Sequence, residues 1–463
     1  MKVEPPELPS AEWSYDDPDY LHPAKLEREL RRVGEICHQC RRCLPLCPSF
    51  PRLFELVDAS PDEVAGVSMA GFDEVNELCF HCKRCYNHCP YTPPHEWDVD
   101  FPALMRRHQL VRARRDGVPL ARRLATRTDL IGRLSGLAPA LMNLANRSRA
   151  SRVLMEKTVG IHRDWVQPAF HRETVERWFA RRGPRAAGAN GRAVLFTTCS
   201  VNYSDPAVGR AAVEVLEHSD VRVDVRYERC CGMPFTDVGD LDAARRNARR
   251  NVEDLLPAVR EGAVVLAPGP SCSLMLKQEY PKLVPGDDAR QVAAATRDLM
   301  EHLHDLARAK KLARDFRRPL GRVAYHAPCH LRHQKIGFRS RDLLVLAGAE
   351  VTLVDACSGV DGTWGMQARF HDASLRVARK MLDAIAACEP DEIATDCPLS
   401  ALRIEEALGR KALHPIVLLH RAYGLDGAGE AASGAERRAQ PRRGVASPLR
   451  GGGAERSSAG RSR

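Results

Sequence analysis

The sequence predicts an α+β multidomain chain, in which a helical module carrying two four-cysteine words precedes two copies of one α/β unit. Three observations predict it. Cys37-x2-Cys40-x2-Cys43-x3-Cys47-Pro48 returns as Cys79-x2-Cys82-x2-Cys85-x3-Cys89-Pro90, every position 42 residues later. From Arg192 onward, short β-rich runs alternate with longer helical stretches, the pattern of parallel strands joined by helical crossovers. Within that half, Thr198-Cys199 returns as Pro328-Cys329, Cys230-Cys231-Gly232 as Cys357-Ser358-Gly359, and Gly269-Pro270-Ser271-Cys272 as Cys397-Pro398-Leu399-Ser400. Three words recurring at offsets of 127 to 130 residues mark a duplication.

The elements follow in order. Residues 1–25 read as an acidic, proline-bearing tail. Residues 26–105 form the cysteine module: a helix with Leu26, Leu30 and Val33 on one face, the first word, a short helix with Leu53, Leu56 and Val57, the second word, then a helix from Phe101. Residues 106–190 are a basic connector whose apolar residues Leu120, Leu124, Ile131, Leu134, Leu137, Leu141 and Leu144 recur at helical spacing, divided by Pro119 and Pro139. The first α/β unit spans 191–318, with strands at Ala193–Thr197, Val221–Tyr227 and Ala263–Ala267 and helices at Leu241–Val259 and Gln291–Ala309. The second, degenerate unit spans 319–425, with strands at Val323–His326, Val351–Val354 and Glu392–Thr395 and a helix at Gly365–Ala387. Residues 426–463 are a Gly/Ser/Arg-rich tail with little to bury, expected to be disordered.

The first two words have the spacing that holds four-iron clusters. A tight loop with cysteines three apart delivers three thiolates to one small volume, and the fourth comes from elsewhere. In two-cluster ferredoxins the cysteine before proline serves the other cluster. Carried onto this chain, that assigns Cys37, Cys40, Cys43 and Cys89 to one [4Fe–4S] cluster and Cys79, Cys82, Cys85 and Cys47 to a second. Zinc ribbons use two pairs per metal and have no use for a third cysteine at the same spacing. Each word of the α/β half follows a strand, so its cysteines sit on loops at strand C-terminal ends, where open α/β sheets place ligands.

Composition excludes some classes. The 463 residues carry a net charge of +10 and no apolar run long enough to span a bilayer, and no secretory leader opens the chain, so a reducing cytoplasm is expected. Eight arginines and a single acid, Asp116, lie between Arg106 and Arg127, and eight more lie in the tail. No aromatic residues interleave the tail arginines, which argues against nucleic acid as a partner. The arginines that flank the leucine stripe make 106–144 a candidate helix for docking a partner or a membrane surface, against the plainer reading that it covers the neighbouring domain.

The α/β words resemble the cysteine-rich CCG domain family, found in the B subunit of heterodisulfide reductase, the C subunit of anaerobic glycerol-3-phosphate dehydrogenase, and the iron–sulfur subunits of glycolate and lactate oxidases. Ser271-Cys-Ser-Leu-Met-Leu-Lys-Gln-Glu-Tyr280 and Tyr325-His-Ala-Pro-Cys-His330 look like the glycerol-3-phosphate dehydrogenase type, and the first two words are similar to the C subunit of heterodisulfide reductase. The resemblance covers roughly residues 26 to 425. In that family an intact unit supplies five cysteines to a cluster. Here the first unit keeps four, Cys199, Cys230, Cys231 and Cys272, with Gly269 at the position of the missing cysteine; that set implies a third iron–sulfur cluster. The second keeps three, Cys329, Cys357 and Cys397, with Ser358 and Ser400 in place of thiolates. Disulfide cleavage of the heterodisulfide reductase kind needs both units intact, and this chain departs from that pattern. His326, His330 and His333 flank Cys329 as candidate replacement ligands or proton donors, and Cys388 lies outside every word and reads as a buried apolar residue.

The expected function is an iron–sulfur electron-transfer subunit of an oxidoreductase. It would relay electrons between a flavin-containing dehydrogenase and a quinone, a disulfide or another carrier, in the cytoplasm or peripherally on the inner face of the membrane. No G-x-G-x-x-G follows a strand, so the flavin or nicotinamide is expected on a partner. The alternatives are an iron–sulfur sensor or nucleic-acid scaffold, and a stand-alone thiol–disulfide reductase.

Overall fold

A computed structural model describes residues 6–7 and 13–426. Beyond Asp426, the expected C-terminal tail lies outside the described residues. The described residues up to Leu425 form one compact unit.

The module is all helical. Helix α1 (Pro23–Cys40) opens on a proline at its first turn and buries Leu26, Leu30, Val33 and Ile36. It packs with α2 (Ser49–Asp58), α3 (Met69–Leu78), α4 (Arg84–His88) and α5 (Phe101–Asp116) around Phe50, Leu53, Phe72, Val75 and Met105. The Ser68 hydroxyl accepts from the Gly71 N–H at 3.1 Å to start α3, and Asp100 accepts from Ala103 at 2.9 Å to start α5.

The connector continues as α6 (Leu120–Ala125), α7 (Thr128–Leu137), α8 (Pro139–Arg147), α9 (Arg149–Val159) and α10 (Val175–Arg182). The prolines divide it where expected. A further break falls at Thr126, whose hydroxyl donates back to the Arg123 carbonyl at 3.0 Å.

The α/β half holds two parallel sheets with the same strand order. In the first, β1 (Arg192–Phe196) lies between β2 (Arg222–Arg226) and β3 (Val264–Ala267), and β4 (Thr296–Asp298) adds an edge beside β3. In the second, β5 (Arg322–His326) lies between β6 (Glu350–Val354) and β7 (Glu392–Thr395). The order β2-β1-β3 thus returns as β6-β5-β7, the duplication written in topology.

Alternation along β1 explains its unbroken apolar sequence. Ala193 and Leu195 face a core shared with the second unit, which includes Tyr325, Leu344 and Leu418, while Val194 and Phe196 face Leu255, Met275 and Tyr280. The second of these cores is closed by Trp13, Tyr15 and Tyr20, so residues 13–21 are built into the first unit rather than trailing from it. Trp13 stacks on Tyr20 at 4.1 Å, and Lys282 sits 3.9 Å over the Trp13 ring.

The helix expected over Gln291–Ala309 is two helices, Asp287–Ala295 and Leu299–Arg308, with β4 between them. Asp298 is the reason. It forms a capping box with Glu301 and restarts the helix, a local signal that a run of mostly helix-compatible residues conceals.

Candidate metal centres

The first word begins inside α1, whose last turn carries Cys37 and Cys40. Arg41, at φ 48, then turns the chain left-handed, and its N–H donates to the Cys37 carbonyl at 2.8 Å. Burial pushes the Cys37 thiol well above its ordinary range, and the neighbouring charges of Cys43, Cys89 and Cys40 push it further. Cys43 is pushed up to about 12 by burial and then by Cys89 and Cys40. Cys89 thus crosses from the second word to the first group. The Tyr91 N–H points at the Cys89 sulfur at 3.4 Å.

Cys47 crosses the other way. Burial takes it up to about 12, Cys79 adds to this, and the N–H groups of Ser49 and Phe50 at the start of α2 oppose it. Cys85 is raised by burial and then by Cys79, Cys47 and Cys43. Cys47, Cys79 and Cys85 therefore gather beside the first group.

Cys82 packs in one group with Cys47 and also faces the second α/β unit. His81 at φ 52 and Lys83 at φ 58 are both left-handed, where the first word has Arg41 alone. The reversals on either side of Cys82 accompany a sulfur aimed at the second α/β unit. There the sulfurs of Cys82, Cys329 and Cys357 all lie within 4.8 Å of one another.

In the first α/β unit the thiols make a chain of side-chain contacts, Cys199 to Cys230, Cys230 to Cys231, and Cys231 to Cys272. Cys199 starts a short helix after β1, Cys230 and Cys231 follow β2, and Cys272 lies in the short helix Pro270–Leu274 after β3. Three loops at strand C-terminal ends converge on one volume. Gly232, at φ 96, gives the turn a conformation that a side chain would strain.

A residue from the connector completes this wall. The Asp129 carboxylate, at the start of α7, accepts the Cys230 N–H at 2.9 and 3.1 Å and also takes the Tyr227 hydroxyl. Asn247 and Asn251 donate to the Cys230 carbonyl at 3.0 and 3.3 Å.

In the second unit, Cys397 stands apart from Cys329 and Cys357 and is hydrogen-bonded with Ser400, whose hydroxyl donates to Ser358 at 3.0 Å. Both ring nitrogens of His326 are occupied, by Thr395 at 3.0 Å and the Ala356 carbonyl at 3.1 Å. His330 lies between the Ser271 hydroxyl at 2.8 Å and Asp361 at 3.1 Å. The His333 ring packs on Tyr86 at 5.0 Å. Cys388 is half-buried at the end of its helix, its sulfur 3.3 Å from the Ile385 carbonyl.

Buried thiols crowded together stay protonated unless a cation among them offsets desolvation and mutual repulsion. The donor sets are soft sulfur and draw on backbone N–H groups for support. That chemistry fits iron–sulfur clusters.

Known proteins carry the same pattern. Residues 30–116 match the citrate utilization protein B Fer4-like domain, and residues 193–277 and 323–404 each match the cysteine-rich CCG domain. The C subunit of anaerobic glycerol-3-phosphate dehydrogenase from Escherichia coli K12 is 30% identical over 305 residues, covering 64% of this chain and 75% of that protein. The chain belongs to the family of this dehydrogenase subunit. Lactate utilization protein A of Geobacillus kaustophilus is 30% identical over 216 residues, 44% of this chain and 86% of that protein. The B subunit of fumarate reductase (CoM/CoB) from Methanothermobacter marburgensis is 28% identical over 240 residues, 50% of this chain and 45% of that protein.

In this member of the family, some arginines of the basic connector serve the interior. Arg106 is 3% exposed and pairs with Glu279 at 3.0 Å; Glu279 also takes the Tyr15 hydroxyl at 2.9 Å and lies 3.6 Å from Lys83. Arg112 and Arg115 are held by Asp73, Glu77 and Asp116. The leucines are the reverse of covered: Leu120, Leu134, Leu137, Leu141 and Leu144 are each 58–76% exposed. No helix among the described residues is long and apolar enough to cross a membrane.

Proposed function

We propose that this chain is the iron–sulfur electron-transfer subunit of an oxidoreductase, working with a flavin-containing dehydrogenase subunit and passing electrons to or from a quinone or another carrier. The observation that carries the reading is the contiguity of the thiol groups. Cys43 of the first faces Cys47 of the second, Cys82 of the second word reaches the second α/β unit, and Cys272 of the first unit faces Cys397. The Escherichia coli relative is by name one subunit of a dehydrogenase, which supports the partner.

Bound clusters supply one-electron transfer. The chain's own residues would hold and tune them: Cys37, Cys40, Cys43 and Cys89 a four-iron cluster, Cys47, Cys79, Cys82 and Cys85 a second, and Cys199, Cys230, Cys231 and Cys272 a third. The apolar cores around them exclude water, and the Tyr91 N–H lowers electron density on the Cys89 sulfur.

The exposed leucines of α6–α8, with Arg123, Arg127 and Arg133 beside them on the surface, support peripheral attachment to the inner face of an anionic membrane, where a quinone would be met. Iron, acid-labile sulfide and electron paramagnetic resonance of the anaerobically purified chain test the cluster reading. Several reduced-cluster signals are expected, reducible through a co-purified flavoprotein. Protein carrying metal without sulfide would end it.

A further inference from the structure

A cleft of about 490 Å3 opens where α5, α6 and the end of α9 meet residues 363–369 of the second α/β unit. Its lining is apolar in part, through Ala113, Ala125, Ile161, Val238 and Met366, and cationic in part, through Arg112, Arg122 and Arg369. The backbone beside it is stitched across the two segments. The His162 N–H donates to the Met366 carbonyl and the Ala368 N–H to the Gly160 carbonyl, both at 2.8 Å, which fixes Gln367 between them.

Charge around the cleft does not balance. The guanidiniums of Arg112, Arg115, Arg122 and Arg369 stand with the carboxylates of Asp73, Glu77 and Asp116. Arg112 takes Asp73 and Glu77 at 3.3 and 2.9 Å, Arg115 takes Asp73 and Asp116 at 2.9 and 2.8 Å, and Arg369 takes Glu77 at 3.2 Å. Arg122 is left over. Among the described residues it has no ion pair, and its guanidinium donates to the Gln367 amide oxygen at 3.4 Å, where the Arg369 Nε–H also points at 3.4 Å. Two cations thus converge on one neutral oxygen. Burial pushes the Arg122 guanidinium below its ordinary range, and the Arg369 charge pushes it further, against Glu77. A desolvated cation without a counter-charge is stabilised by an anion entering the cleft, whereas a neutral ligand leaves that charge unmatched.

We propose that this cleft binds the phosphate group of an anionic phospholipid, with Arg122 and Arg369 as a two-guanidinium clamp and the apolar lining beside the lipid's glycerol and first acyl carbons. Guanidinium forks match phosphate oxygens in pairs. Continuity favours a lipid over a soluble phosphate: α6, which supplies Arg122 and Ala125 to the cleft, also carries Leu120 and Leu124, 69% and 49% exposed. Glu77, on the cleft wall, lies two residues before Cys79, so an occupied cleft would hold the loop of the second cluster close to the membrane face. Binding involves no covalent or redox step. The inference rests on the peripheral attachment proposed above for the identity of the ligand, and on the cleft alone for its charge.

The test is anaerobic titration calorimetry of the purified full chain with dihexanoyl phosphatidylglycerol below its micellar concentration, with dihexanoyl phosphatidylcholine and inorganic phosphate as comparisons. Phosphatidylglycerol is expected to bind about tenfold tighter than either comparison or better. Arg122→Gln and Arg369→Gln should each weaken it about tenfold or more, while Arg114→Gln, exposed on α5 and outside the cleft, should bind as wild type. Gln367→Glu supplies the missing carboxylate from within the chain. It should raise the melting temperature and abolish lipid binding, a pairing that a misfolded variant does not produce. Inorganic phosphate bound as tightly as the lipid, phosphatidylcholine bound as tightly as phosphatidylglycerol, or no uptake of lipid by wild-type protein would each overturn the proposal. Vesicle sedimentation reports the attachment reading separately: short-chain lipid bound through Arg122 by a chain that ignores vesicles upholds the cleft and overturns attachment, and vesicle binding without uptake of short-chain lipid does the reverse.

Discussion

At the scale of single residues, Asp129 is the group that the cysteine words do not announce. Its carboxylate takes the Cys230 N–H and the Tyr227 hydroxyl, and it brings a negative charge beside the thiols of the first α/β unit. Asp129→Asn keeps the shape and removes the charge, so the reduction potential of the cluster in that unit should rise, read by a redox titration followed by electron paramagnetic resonance. An unchanged potential would make Asp129 a structural anchor only. Asp237 gives a second residue-scale expectation. Burial, then the facing Asp361 charge, pushes its carboxyl up to about 7, against Arg106 and His330. Unfolded aspartate titrates near about 3.9, so between the two values the folded chain holds a proton that the unfolded chain has released. Stability from this group is present below that window and is lost as pH rises through it. Asp237→Asn should therefore flatten the fall in melting temperature between about pH 5 and 7.

At the scale of elements, α7 is a wedge. A Cβ on Gly132 would stand 2.3 Å from the Tyr203 ring, so α7 lies directly on the helix that follows Cys199. Gly132→Ala should push α7 outward, destabilise the chain by about 1–3 kcal/mol, and release Asp129 from Cys230. A lower melting temperature together with faster loss of the first-unit cluster signal is expected; a melting temperature within error of wild type would show that the ring gives way. What could be read from sequence divides along the same line. Strands β1, β3, β5 and β7 were legible because buried parallel strands are short apolar runs, the edge strands β2 and β6 because their β-branched residues alternate with polar ones, and the duplication because cysteine words repeat. Strand β4 was hidden because Thr296–Asp298 is short and flanked on both sides by helix-compatible residues. The approach of the Cys82 sulfur to Cys329 and Cys357 was hidden because spacing records separation along the chain, whereas the left-handed residues His81 and Lys83 shape where the sulfur points. Trp13, Tyr15 and Arg106 were hidden because their partners, Lys282 and Glu279, lie more than 170 residues away.

At the scale of the whole molecule, charge and apolar surface are sorted in a way that composition alone misstates. Arg106 and Arg107 are buried, and Arg112 and Arg115 are paired, which leaves Arg114, Arg123, Arg127 and Arg133 among the exposed cations of the connector. The exposed leucines of α6–α8 lie on the same stretch of chain, and they would cost nothing to bury in lipid while about 25 cal/mol per Å2 is gained for each apolar area removed from water. The expected outcome is that the full chain sediments with vesicles containing anionic lipid, less with neutral vesicles, and less as salt rises. Leu134→Glu combined with Leu137→Glu and Leu141→Glu should abolish sedimentation while cluster content and melting temperature stay at wild-type values, because these side chains are already in water. Wild-type protein that ignores vesicles of either kind would assign the leucine face to a partner subunit instead, and the same triple variant would then show its defect in the yield of the co-purified complex.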